Sequence, residues 1–157
     1  MIVRWLTVNI LTIALIMLWS FYQGFESNYI LIGKLLAQAA FILFLLNLNM
    51  YFVFLLIRKS KARELKIQLA RISKQLMKYH IPIATTATIL IILHGAIMLY
   101  VHELNFKIAS GILSICGLIF LLFSGLLRRK KATGRRRKFH YKTAFLLFAF
   151  VLFHIFV

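Results

Sequence analysis

The stretch KYHIPIATTATILIILH, residues 78–94, decides how this chain is read. It opens on Lys, an aromatic residue and His, runs through thirteen uncharged residues, and closes on a second His. The pattern returns in KFHYKTAFLLFAFVLFH, residues 138–154, where Lys142 is the one charge between the histidines. As a helix, each run covers ~21 Å from His to His at ~1.5 Å per residue. That is most of a hydrocarbon layer ~30 Å thick. The apolar character extends well beyond both runs, which makes membrane-spanning helices the first reading.

Working outward, the spacing predicts spans at about 5–22, 29–57, 80–101, 108–127 and 139–157. Arg4 precedes the first, and Trp5, Trp19 and Tyr22 suit its interfaces. Asn9 is its polar interruption. An Ala-x-Ala-like cleavage site does not follow it, so an uncleaved helix is expected rather than a secretory signal. Gly24 marks a turn in QGFESN. Asn47 and Asn49 fall inside the second span, and one of them is expected to face other helices, because Asn is costly against lipid. Pro82 is read in the first turn of the third span, where a missing N–H costs little. Gly111, Gly117, Ser124 and Gly125 give the fourth span close packing or room for a bulky cofactor.

Composition agrees. Of 157 residues 62% are hydrophobic, and the mean hydropathy is +0.90. The single cysteine, Cys116, excludes an internal disulfide and reads as a small packing residue. The net charge of +17 does not indicate nucleic acid, because of where the charges lie. Eight basic residues fall between Arg58 and Lys78 and eight more between Arg128 and Lys138. Blocks of this kind between apolar spans mark the cytoplasmic side and attract anionic lipid. Segments 58–79 and 128–138 are therefore read as cytoplasmic basic loops. Within the first, Leu65, Leu69, Ile72 and Leu76 have helical spacing, as in an amphipathic surface helix or an extension of the second span. The expected fold is an all-α, polytopic five-helix membrane bundle forming one domain. Its N-terminus lies inside and its C-terminus outside, with Glu26 and Glu103 on the outer turns. The expected location is a bacterial plasma membrane.

His80 and His94 are fourteen residues apart, as are His140 and His154. Fourteen steps return a side chain to within ~40° of the same helix face. In this topology the third and fifth spans are parallel, so His80 matches His140 in depth and His94 matches His154. Each pair supplies two axial imidazoles, which suits a haem iron and needs no cysteine. Zinc fits less well, since neither Glu64 nor Glu103 stands at either level. Taken singly, His80, His140 and His154 also read as interfacial residues and His94 as a packed one. His102 breaks the pattern and reads as a solvated turn residue, with contact to a propionate or substrate as the alternative.

These residues resemble the membrane b-type cytochromes with two stacked haems. The likeness is to the transmembrane domain of ferric reductases and NADPH oxidases, and to the haem helices of quinol-oxidising cytochrome b. It covers roughly residues 79–157, with 108–127 as the intervening helix. It implies two b-type haems held by His80, His94, His140 and His154, and electrons passing between inner and outer centres. Lys78, Lys138 and Lys142 lie within one turn of the inner ligands and suit their propionates; Lys107 and Lys34 are the outer candidates. The chain departs from the reductases in having no sixth span, no flavin or nicotinamide domain and no GxGxxG fingerprint. A separate donor protein, a quinol or a small reductant is then needed, and whether the chain is itself an enzyme stays open, as does homo- or hetero-oligomerisation. The competing reading is a non-enzymatic membrane subunit whose basic loops dock a partner or anionic lipid.

Overall fold

The computed structural model describes residues 2–24 and 27–157. Glu26 lies outside the described residues, as do the side chains of Arg4, Trp5 and Asn9. Five helices follow one another: α1 (Ile2–Tyr22), α2 (Asn28–Lys59), α3 (Arg63–Val101), α4 (Phe106–Lys130) and α5 (Gly134–Phe156). Helices α2 to α5 are each long and apolar enough to cross a membrane. Within α1 the described side chains give a shorter apolar stretch, Ile13–Tyr22. The chain is thus a polytopic all-α membrane protein. It divides into two compact units, Met1–Val101 and His102–Val157.

In the first unit α2 and α3 pack along one another, with α1 against α2. The α1–α2 turn rests on Gly24, whose φ of 64° is left-handed and suits a residue without Cβ. Lys34 reaches back from α2 to donate to the Gly24 carbonyl. Ser27 caps α2, its hydroxyl accepting from the Ile30 N–H at 3.3 Å.

Helix α3 differs from the sequence reading. It has 39 residues, or about 58 Å, nearly twice the ~30 Å hydrocarbon layer. Most of 58–79 is therefore helical. Its Leu65–Leu76 pattern extends the third span instead of the second, while α2 runs on to Lys59. The cause is packing. Val53 and Leu56 of α2 bury against Leu69 of α3, with Ile57 and Leu65 alongside. Ser73, one turn further, is also buried, its hydroxyl donating to the Ala70 carbonyl at 2.9 Å. Pro82 accordingly lies inside α3 and not in a first turn. Beyond it, Thr85 and Thr88 satisfy their hydroxyls on the carbonyls of Ile81 and Ala84, at 3.0 and 2.8 Å. Back-bonds of this kind let threonine sit in an apolar span.

The second unit is a helical hairpin of α4 and α5. Asn105 caps α4 by accepting from the Ile108 N–H at 2.9 Å, and Thr133 caps α5 by accepting from Arg136 N–H at 3.3 Å. Only residues 131–133 separate the two helices, so most of segment 128–138 is also helical. Arg136 donates to the carbonyl of Leu127 at 2.8 Å and to that of Lys131 at 3.4 Å. It thereby adds a second donor to carbonyls that already accept the N–H groups of Lys131 and Thr133. Gly117 lets the helices close: a Cβ there would stand 3.1 Å from Phe150 Cδ2. Ile119 and Phe120, on the far side of α4, are about 60% exposed, as suits contact with lipid.

Candidate functional site

On α5, His140 and His154 each meet a serine of α4. Ser124 Oγ lies 2.8 Å from His140 Nδ1 and gives its own hydrogen to the Leu121 carbonyl at 2.7 Å. With that single hydroxyl hydrogen on the carbonyl, the bond to the ring is donated by Nδ1–H. Ser110 repeats the arrangement, standing 2.9 Å from His154 Nδ1 and donating to the Lys107 carbonyl at 2.7 Å. In that arrangement each neutral ring carries its hydrogen on Nδ1 and its lone pair on Nε2.

A glycine follows each serine, and each ring lies over it. A Cβ on Gly125 would be 3.5 Å from His140 Cε1, and one on Gly111 would be 3.1 Å from His154 Cε1. Ser110-Gly111 and Ser124-Gly125 are fourteen residues apart, the interval that separates His140 from His154. With α4 and α5 running in opposite directions, the two His/Ser-Gly modules come into register together.

The first unit contains a variant of this module. His94 Nδ1 lies 2.8 Å from the Gly33 carbonyl of α2. A carbonyl can only accept, so Nδ1 again carries the hydrogen. A Cβ on Gly33 would stand 3.8 Å from that nitrogen and would collide with the end of Met98. His80 is held through its backbone, where Asn47 Nδ2 donates to the His80 carbonyl at 3.2 Å. Its ring is half-buried, with Nδ1 shielded from solvent. Asn47 is thus an inward-facing asparagine of α2.

The remaining candidates lie at the surface. Lys78 and Lys138 are exposed, each two residues before a histidine, and Lys78 Nζ sits 5.8 Å from the centroid of the Tyr79 ring. Lys142 is exposed, and so are His102 and Glu103, just beyond α3. Among the described residues, no three of His, Cys, Asp and Glu gather into a metal-binding group.

Sequence reasoning missed Ser110 altogether and took Ser124 only as a small residue. The available signal was the dipeptide Ser-Gly recurring at the histidine interval. Comparisons with protein-family models, curated proteins and solved structures return no match.

Proposed function

We propose that this chain is a two-haem b-type membrane cytochrome that passes electrons from a separate donor to an acceptor on the outer side of the membrane. The observation that carries the reading is that Nδ1 of His94, His140 and His154 lies 2.8–2.9 Å from an oxygen. Donation from Nδ1 to these oxygens would make Nε2 the Lewis base of each ring. Metal-bound histidines characteristically donate their second nitrogen to an oxygen in this way. The donor set fits a haem iron, which takes two neutral imidazoles and no carboxylate or thiolate. Gly111 fits it too, because a Cβ there would crowd the His154 ring at 3.1 Å.

His80 and His140 would hold the inner haem, and His94 and His154 the outer one. This pairing rests on depth, given a basic side facing the cytoplasm and parallel third and fifth spans. When bound, haem supplies one-electron chemistry. The chain supplies oriented ligands, a low-dielectric surround and nearby charge. Levels ~21 Å apart along a helix bring two such centres within reach of one another. Lys78 and Lys138 would draw inner propionates toward the basic side. A quinol or a reductase partner would supply the electrons, and the basic segments would meet anionic lipid.

The test is the absorption spectrum and haem-to-protein ratio of the full chain purified with haem in ample supply. The expected result is two haems per chain and a sharp band on reduction; a colourless, iron-free protein would sink the proposal. A second reading, a membrane subunit that docks a partner, draws on the α2–α3 extension, where Arg58 to Lys78 supplies eight basic residues. It requires that replacing all four histidines leave folding and assembly unchanged.

A further inference from the structure

We infer that Ser110 and Ser124 are positioning residues: each selects Nε2 as the metal-binding nitrogen of its histidine and sets the reduction potential of one centre independently of the other. The inference rests on the two-haem reading.

Serine in an apolar helix commonly bonds a carbonyl of the preceding turn, and this alone justifies no role. Ser73 makes such a bond, to Ala70, and Ser114 makes one to Ser110. What sets Ser110 and Ser124 apart is the second bond of each, to an imidazole on the neighbouring helix. The two bonds also act in sequence. Giving its hydrogen to a carbonyl makes Oγ a stronger acceptor, which pulls harder on the ring N–H. Both serines are buried, Ser124 at 0% and Ser110 at 5% exposure.

The pull has a chemical consequence at the opposite nitrogen. An imidazole whose Nδ1–H is held by a good acceptor is more basic at Nε2. A more basic ligand favours the oxidised, more positive iron and lowers its potential. His94 donates instead to a backbone carbonyl, which no side-chain substitution removes. Of these three rings, the two on α5 are the ones whose partner a substitution can change. The fourteen-residue interval gives each depth its own control: Ser124 at the level of His140, Ser110 at the level of His154.

The test uses the full chain in two forms. In haem-free protein labelled with 15N-histidine, His140 and His154 are expected to give the Nδ1–H tautomer. Ser124→Ala should shift His140 toward the Nε2–H form and leave His154 unchanged, and Ser110→Ala should do the reverse. In haem-loaded protein, each alanine variant should raise the potential of one centre. The expected change is on the order of tenfold in the oxidation equilibrium, or about 59 mV for one electron. Ser→Thr, which keeps the hydroxyl, should restore both readouts. Tautomers and potentials that ignore the alanine substitutions overturn the inference and leave the two-haem reading intact, as does an equal shift at both centres. A chain that shows serine-dependent tautomers but takes up no haem overturns the two-haem reading and leaves the tautomer selection standing.

Discussion

Gly111 lies directly beneath the His154 ring, so close that a methyl group added there would stand 3.1 Å from Cε1. Its counterpart under His140, Gly125, leaves 3.5 Å, an ordinary contact. Gly111→Ala should therefore push the His154 ring off Ser110 and cost ~1–3 kcal/mol through overpacking. Gly125→Ala should be neutral or slightly stabilising, since alanine is the better helix former by ~1 kcal/mol. Thermal unfolding of the two variants in detergent measures the contrast, and equal melting temperatures would contradict it.

On the two-haem proposal, histidines assigned to one haem should fail together. His94→Ala and His154→Ala should each remove the same low-spin signal, and His80→Ala and His140→Ala the other. A bis-imidazole site loses its six-coordinate state when either ligand goes. Combining both outer substitutions should add little, whereas one inner plus one outer should abolish both signals. Potential-resolved spectra decide the matter: loss of the same signal in His80→Ala and His154→Ala would show the pairing to be wrong.

Lys78 and Lys138 precede His80 and His140 by two residues each. On the two-haem proposal, converting both to Gln removes cations that would favour the reduced centre, and should lower the inner potential while sparing the outer one. Both side chains are exposed, so the difference should shrink as salt is raised. An inner potential indifferent to the substitution would mark the lysines as lipid-facing anchors only.

Leu69 joins Val53 and Leu56 in the cluster that extends the α2–α3 hairpin. Leu69→Ala should cost ~2–5 kcal/mol of local stability, nearer the lower figure because the site lies at the edge of solvent. Arg58, Lys59, Lys61 and Arg63 surround the turn, so limited trypsin digestion reports the loosening as faster cleavage there. An unchanged rate would mean the cluster does not hold the extension.

The four C-terminal spans were legible because long apolar runs set off by basic blocks have few other solutions. The inward turn of Asn47 was legible for a related reason, the cost of an amide against lipid. The extension of α3 was not. Leu65 and Leu69 show a helical stripe in the sequence, but whether it meets lipid or another helix depends on where α2 ends. Pro82 misled in the same way, since a proline near a basic-to-apolar boundary looks like a helix start until the preceding residues prove to be packed. At the site, the histidine interval was plain, whereas the serines were hidden. A serine partner is identified only when two antiparallel helices are laid side by side in register.

That register makes the hairpin intolerant of changes in length. One residue inserted between Gly111 and Ser124 would turn one serine ~100° from the other and displace it ~1.5 Å along the axis. Sliding α5 to recover one histidine would then lose the other. The thirteen residues between His140 and His154 are bound by the same condition. Deletions and insertions are therefore excluded from the interior of both helices, unless they come in matched pairs that preserve the interval. The linker at 131–133 is held less tightly, because both fastening points lie away from it and a longer turn leaves their spacing unchanged.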